Sequence, residues 1–166
     1  QLTIEGTTAF GRAVARGAWS PPDEDLAAAL YEATQAMLEA AGFEAYEVSN
    51  HARDVAARSS HNLHVWRGGD YLGLGPGAHG RMTLAEGRVA TVAERRIGDY
   101  VAGVAAGSPW AEREILEPQD AAEERVLLGL RTVDGVPLAL LQRLGLAADE
   151  GRLADLLADG FVSLKD

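Results

Sequence analysis

The stretch from His61 to Gly80 holds the densest set of residues in this chain that could do chemistry. It contains three of the four histidines, His61, His64 and His79, together with Trp66 and six glycines. Imidazoles are the usual protein ligands of metal ions and haem iron. Glycine lets the backbone approach a ligand closely or adopt positive φ. A segment that only fills a core needs neither residue type at this density, so we treat this stretch as the candidate site.

The loop at residues 75–80 reads GPGAHG and matches the GxGxxG pattern of dinucleotide-binding proteins. As a dinucleotide fingerprint it should open a helix inside a β-α-β unit. Residues 81–84 lead almost at once to Glu86-Gly87, which leaves no room for that helix. We therefore reject dinucleotide binding. From the residues alone, the better interpretation is a tight, glycine-rich strand exit.

Acidic residues outside this stretch have simpler interpretations. Glu47 and Asn50 end a predicted strand and could hold a substrate or pin the following loop, although ordinary strand-to-loop hydrogen bonding is the alternative. Glu123 and Glu124 are neighbours on a predicted helix, where adjacent side chains point about 100° apart. We assign this pair no catalysis and expect a solvated face with favourable charge near the helix N-terminus.

The composition limits the classes of partner. The chain has 166 residues, 47% of them hydrophobic, and a net charge of −10. Nucleic acids and anionic membranes need basic surfaces, so we expect neither as a partner. A local basic group remains possible around the histidines, formed by Arg53, Arg58, Arg67 and Arg81. No apolar run approaches roughly 18 residues and no signal-peptide pattern is present, which predicts a cytoplasmic protein with no integral membrane segment.

Cysteine is absent from the sequence. Disulfides, zinc–cysteine sites and thiolate-bound clusters are thereby excluded within this chain. We expect the isolated chain to bind no iron–sulfur cluster, because clusters of this class depend on cysteine ligands.

Hydrophobic periodicity predicts a mixed α/β (α+β) fold. Residues 1–5 and 43–49 suit strands. The helix between them starts near Ser20-Pro21-Pro22-Asp23 and is closed by Gly42. A helix between two strands is the β-α-β pattern of a parallel sheet. The next segments are expected to be a loop at 50–60, helical turns at 61–67, a strand at 71–74, a hairpin at 81–92, a helix at 94–106 and a loop at 107–118.

Three short helical patterns dominate the C-terminal part, at 120–131, 137–144 and 149–159. A strand at 161–164 is expected to follow. Three helices and a strand are the opening of a winged-helix-like domain, although the sequence stops before a wing could return. The predicted organisation is therefore a first domain at 1–107, a linker at 108–118 and an incomplete helical domain at 119–166.

Several motifs, taken in order, resemble one family closely, the HemW-type haem chaperones. These are radical S-adenosylmethionine (SAM) proteins of the oxygen-independent coproporphyrinogen III oxidase-like group. The family writes approximately YEISN, HNxxYW and GGDYLGIGPGAHG, where this chain has YEVSN at 46–50, HNLHVW at 61–66 and GGDYLGLGPGAHG at 68–80. QLTIE at 1–5 and EERVLLGLR at 123–131 also resemble family segments. The resemblance covers nearly the whole chain.

The resemblance implies a fold and cofactors. Residues 1–107 would be the last part of a partial (β/α) radical SAM-type barrel, and residues 119–166 the start of a HemN C-terminal-type domain. The intact family carries SAM and a [4Fe–4S] cluster on a CxxxCxxC segment, which is absent from this sequence. We therefore expect this chain to be a C-terminal fragment, inactive by itself as a radical SAM enzyme.

The resemblance also implies a ligand for the candidate site. The family's HNxxYW motif is associated with haem, so His61 becomes a possible haem-iron ligand and Trp66 a flat apolar face for the macrocycle. Val65 replaces the family tyrosine, and His64 is the polar residue that could substitute for it. Arg58 and Arg67 could pair with the haem propionates. The full set expected at the haem or porphyrin is Arg58, His61, Asn62, His64, Trp66 and Arg67. The alternative is that His61 and Asn62 cap a helix and Trp66 packs in the core.

The same resemblance implies a role for the glycine-rich loop. Strand exits of the barrel surround the SAM and substrate site, so Gly75, Gly77, Ala78 and His79 would lie at its rim. Three functions remain open at this stage. The first is part of a haem chaperone that passes haem to an acceptor protein. The second is part of an oxygen-independent coproporphyrinogen III oxidase of porphyrin biosynthesis. The third is a non-catalytic interaction domain.

Overall fold

The computed structural model describes residues 4–145 and 150–164 of the chain. They form a mixture of helices and small sheets, which confirms the α/β class in its coarse form. The chain divides into two compact units, residues 1–58 and residues 59–166. Of the helices in the described residues, none is both long enough and apolar enough to cross a bilayer.

The first unit consists of two helices and a short hairpin. Its elements are α1 (Ala9–Ala15), α2 (Glu24–Ala40), β1 (Glu44–Glu47), β2 (Asn50–Ala52) and a 3₁₀ turn (Val55–Ala57). Helix α2 confirms the predicted helix, but its cap is Asp23, whose Oδ1 accepts a 2.8 Å hydrogen bond from the Leu26 N–H. Gly42 follows the helix with φ of 78°, as a C-terminal glycine should.

The apolar face of α2 is exposed in this structure. Leu26 and Leu30 are about half exposed, and Met37 is 74% exposed. The buried apolar side chains of the first unit belong instead to its hairpin, at Tyr46 and Ala52. The hairpin pairs β1 with β2 in antiparallel fashion.

The second unit contains a three-stranded sheet and five helices in its described residues. Its elements are α3 (Ser60–Trp66), β3 (His79–Leu84), β4 (Gly87–Ala93), α4 (Ile97–Ala105), β5 (Trp110–Ile115), α5 (Pro118–Gly129), α6 (Leu138–Arg143) and α7 (Glu150–Ala158). The sheet is antiparallel, with the order β3-β4-β5. The predicted hairpin at 81–92 is therefore confirmed, with its turn at Ala85-Glu86.

Strand β4 forms the centre of this sheet and of its core. Val89, Thr91 and Ala93 alternate along it and are all less than 2% exposed. Period-two burial of this kind means that one face of the strand is covered. Helix α5 packs against β4 and presents Ala122, Val126 and Gly129 as its buried residues. Four- and three-residue spacing places these on one helical face.

Several local expectations from the sequence are wrong. The segment 50–60 contains β2 and a 3₁₀ turn, and 107–118 contains β5, so neither is a simple loop. Tyr71 makes one isolated bridge to Arg81 in place of a strand at 71–74. Residues 161–164 form no strand. Helix α1 was not predicted.

The expected parallel β-α-β unit is not seen among the described residues. Residues 43–49 supply β1, but its partner is the next segment along the chain, in antiparallel orientation. The predicted strand at 1–5 lies mainly outside the described residues, and Ile4 and Glu5 are not in a strand. The predicted domain limits at 107 and 119 remain a prediction.

Candidate functional site

Helix α3 positions the histidine-rich motif. Ser59 caps it, because its Oγ accepts a 3.2 Å hydrogen bond from the Asn62 N–H. His61 and Asn62 are therefore not the cap, contrary to the alternative interpretation. Leu63 is the buried anchor of this helix, and His61 is exposed on its first turn. The His61 side chain makes no hydrogen bond or ion pair within the part of the chain that the structure describes.

His64 lies on the same side of α3 as His61 but is already engaged. Its Nε2 lies 2.8 Å from the backbone oxygen of Asp70. A carbonyl oxygen only accepts, so Nε2 carries the proton and donates it. The imidazole also covers Gly69, where a Cβ atom would collide with the ring. Only Nδ1 of His64 remains available to an added ligand.

Trp66 is half-buried at the end of α3 and has a cationic neighbour. The Arg131 guanidinium carbon lies 4.6 Å from the centre of the indole ring, a cation–π distance. One face of the indole is therefore occupied by Arg131. The indole Nε1 is buried and has no hydrogen-bond partner among the described residues.

The two arginines expected to meet propionates have other partners. Arg67 forms an ion pair with Asp134 at 2.6 Å, and both side chains are more than a third exposed. Arg58 belongs to the first unit, where its guanidinium carbon lies 5.6 Å from the centre of the Tyr46 ring. The structure thus brings together His61, Asn62, His64, Trp66 and Arg67 within the second unit.

Arg125 is a neighbour of Trp66 that the sequence interpretation missed. Its Nη1 donates a 3.3 Å hydrogen bond to the Trp66 backbone oxygen. Its side chain lies across Gly68, where an added Cβ would come within 2.6 Å of the Arg125 Cδ. Burial, and then the positive charges of Arg88 and Arg67, lower the pKa of Arg125. The pairing of α3 with α5 creates this neighbour, and no local sequence signal marks it.

The glycine-rich loop is held by the protein itself. The Gly75 N–H donates a 3.0 Å hydrogen bond to the Tyr100 hydroxyl, and the Gly77 N–H donates a 2.9 Å bond to the Glu94 carbonyl. Ala78 is linked through its carbonyl to the Ala93 N–H at 2.8 Å. The exposed His79 then begins β3. A strand follows this loop where a dinucleotide fingerprint needs a helix, as expected from the sequence.

Asp70 connects the His64 turn to the sheet. Its carboxylate accepts 2.9 Å hydrogen bonds from the N–H and hydroxyl of Thr83, and it pairs with Arg88 at 3.1 Å. These bonds hold the pKa of Asp70 below its usual range, with Thr83 the larger cause. The carbonyl that orients His64 is therefore fixed by a side chain anchored to β3 and β4.

The lowered pKa of Asp70 gives a pH-dependent prediction. A carboxylate with a depressed folded-state pKa stabilises the fold above about pH 4, and that contribution is lost as the pH falls through the folded-state value. Asp70→Asn should therefore cost about 1 kcal/mol or less near pH 7, since the side chain is half exposed. The cost should shrink toward pH 3. Urea unfolding at both pH values measures it, with Asp25→Asn on α2 as the control. A cost that is equal at the two pH values would contradict this assignment.

Glu47 and Asn50 pin the hairpin turn of the first unit. Glu47 is 3% exposed, and its Oε1 accepts hydrogen bonds from the Ser49 N–H and the Asn50 side-chain amide. Its Oε2 is buried without a partner among the described residues. The loop-pinning interpretation of this motif therefore accounts for one of the two carboxylate oxygens.

Metal binding by clustered side chains has no support in this geometry. Among residues 4–145 and 150–164, no three histidine or carboxylate groups are arranged to hold an ion. A haem needs only an axial imidazole from the protein, and the exposed His61 is suited to that chemistry.

The C-terminal part of the chain matches a known protein family. Residues 116–166 match the family described as the HemN C-terminal domain. The matched segment starts just before α5 and includes α6 and α7. No solved structure matches this chain.

Three relatives match nearly the whole length of this chain. The chain is 41% identical over 162 residues to the heme chaperone HemW of Mycobacterium tuberculosis. This match covers 97% of the chain and 39% of that protein. It is 31% identical to Escherichia coli heme chaperone HemW, covering 98% of the chain and 42% of that protein. It is 40% identical to bovine radical S-adenosyl methionine domain-containing protein 1, mitochondrial. That match covers 91% of this chain and 31% of the bovine protein. This chain belongs to the HemW-type family and spans about two fifths or less of the length of these relatives.

Proposed function

We propose that this chain is the haem-binding part of a HemW-type haem chaperone and contributes to the delivery of haem to an acceptor protein. The observation that carries the proposal is His61, an exposed imidazole without an internal partner in the described residues, on the same short helix as Trp66. Two of the relatives reported above are named heme chaperones. Their names favour the chaperone over a coproporphyrinogen III oxidase.

The finer architecture belongs to the same proposal. Residues 1–107 would be the last part of a partial (β/α) barrel, and residues 119–166 would open a winged-helix-like domain. The intact protein would also bind SAM and a [4Fe–4S] cluster, since one relative is named a radical S-adenosyl methionine domain protein. The cluster ligands would lie outside this cysteine-free chain. Gly75, Gly77, Ala78 and His79 would line the SAM rim. A cytoplasmic location and the absence of a nucleic-acid partner remain sequence-based predictions.

Haem titration of the chain, followed by the Soret band, tests the proposal. His61→Ala should weaken haem binding by on the order of tenfold or more, because even outer-shell partners of metal ligands are worth about 10–100-fold. His64→Ala should have a smaller effect, because its Nε2 already donates to the Asp70 carbonyl. His51→Ala is the control, since it removes a histidine that is bonded to Gln35 in the first unit. Equal haem affinity of His61→Ala and the wild-type chain would remove the basis of the proposal.

A further inference from the structure

The surroundings of Trp66 carry more positive than negative charge, in a chain whose net charge is −10. Contacts among α3, β3, β4 and α5 connect five guanidinium groups with three carboxylates, and a fourth carboxylate, Glu114 on β5, is close enough to Arg81 to raise the pKa of that arginine. The cations are Arg67, Arg81, Arg88, Arg125 and Arg131, and the carboxylates are Asp70, Glu124 and Asp134. Cations held close together repel one another, and an anion bound among them would relieve that repulsion.

Among the described residues, Arg125 and Arg131 are the two cations of this group that have no carboxylate partner. Arg67 pairs with Asp134, while Arg81 and Arg88 share Glu124, and Arg88 also pairs with Asp70. Among the described residues, the only acceptor of an Arg125 hydrogen bond is the Trp66 carbonyl. A guanidinium has five N–H donors in a planar fork that matches a carboxylate. Most of the N–H donors of Arg125 are therefore unused next to the backbone of Trp66.

We propose that Arg125, together with Arg131, forms the anion-binding end of the Trp66 site and takes a carboxylate of a flat apolar ligand. For a haem this carboxylate is a propionate, and the inference thus rests on the proposed haem function. It replaces Arg58 and Arg67 as the propionate partners. Arg131 stacks on the Trp66 ring and Arg125 bonds to the Trp66 backbone, so both guanidinium groups contact the same residue.

Removal of the Arg125 charge should have opposite effects on the stability of the chain and on ligand binding. Burial disfavours the charged form of Arg125, and the positive charges of Arg88 and Arg67 also repel it, so its pKa is lowered. Arg125→Met keeps the aliphatic stem over Gly68 but removes this charge. The ligand-free variant should unfold at the same or a higher urea concentration than the wild-type chain. Removal of a ligand-binding charge commonly stabilises a protein in this way.

Two ligands that differ only in their carboxylates provide the binding test. Arg125→Met should raise the dissociation constant of haem by about 10–100-fold, as expected for a charge-assisted hydrogen bond. The affinity for haem dimethyl ester should stay within about twofold of the wild-type value. Arg113→Gln is the matched control, because it removes the same charge from an exposed ion pair with Glu86 on the sheet. It should leave both affinities unchanged.

The outcomes separate this inference from the proposed function. Equal losses for haem and its ester, or no loss for either, would overturn the role of Arg125 while haem binding itself stands. If the wild-type chain binds neither ligand, the haem proposal fails, and sodium propionate becomes the probe. A saturable shift of the Arg125 Nε–H signal in NMR titration would then support an anion site. An unshifted signal, or a destabilised ligand-free Arg125→Met chain, would count against it.

Discussion

Replacing Gly73 by alanine is expected to destabilise the chain by about 2–3 kcal/mol, the upper part of the range of about 1–3 kcal/mol found for overpacked sites. A Cβ atom at Gly73 would lie well inside van der Waals distance of the His79 carbonyl, and Gly73 itself is buried. A backbone group at the start of β3 cannot rotate aside as a side chain would. The backbone of Gly73 does not have positive φ, so the cost comes from the collision alone.

Gly98→Ala is the matched control for this prediction. Nothing lies within 4 Å of the Cβ position at Gly98, which is in the first turns of α4. Alanine there should be neutral or stabilising by up to about 1 kcal/mol, because glycine is unfavourable within helices. Urea unfolding followed by circular dichroism gives both free energies of unfolding. Similar values for the two variants would show that the turn between Gly73 and His79 is looser than described.

The glycine-rich motif therefore has an internal explanation in this part of the protein. Gly73 approaches the His79 carbonyl, Gly80 approaches the Thr91 hydroxyl, and Gly69 lies under the His64 ring. Glycine at such positions indicates that another group approaches the backbone closely. It does not show whether that partner is a ligand or another segment of the same chain, because the partner is chosen by tertiary contacts. Here the three partners are protein groups.

Elements with strong local signals were predictable. Helix α2 has a capping Asp23, an apolar stripe and Gly42 beyond its end. The β3–β4 hairpin has an Ala85-Glu86-Gly87 turn between alternating apolar residues. In each case the residues that determine the element lie within it or directly beside it in the sequence. Tertiary packing was not needed to recognise these elements.

Strand β5 shows why the remaining elements were missed. Its residues, Trp110–Ile115, are mostly exposed and have two flanking prolines near their ends, which favoured a loop. The strand exists because its backbone pairs with β4, and that pairing depends on residues about twenty positions earlier. Arg125 was missed for the same reason, since its contact with Trp66 spans 59 positions.

The prediction for Glu123 and Glu124 was half correct. Glu123 is exposed and accepts a hydrogen bond from the Gln119 side chain four residues earlier, as expected for a solvated face. Glu124 is only 24% exposed and forms bonds of 2.9 and 3.1 Å with the Arg81 Nε. This hydrogen bond raises the pKa of Arg81. The second glutamate thus joins α5, in the matched C-terminal domain, to strand β3.

Glu124→Ala should consequently cost about 2–3 kcal/mol of unfolding free energy, because it leaves charged donors partly buried without their acceptor. Arg81 would lose its carboxylate, and Arg88 would lose a partner at 3.8 Å while keeping Asp70. Glu123→Ala removes the same group one residue away and should cost no more than about 0.5 kcal/mol. Urea unfolding of both variants provides the comparison.

A double-variant cycle identifies Arg81 as the group that is left unpaired. Arg81→Met in the Glu124→Ala background removes the stranded charge, so the double variant should recover at least about 1 kcal/mol relative to Glu124→Ala. Strict additivity of the two single losses would mean that the two side chains stabilise the fold independently. It would also mean that the contact between α5 and the sheet rests on the apolar packing of Ala122 and Val126 against β4, with the ion pair contributing little.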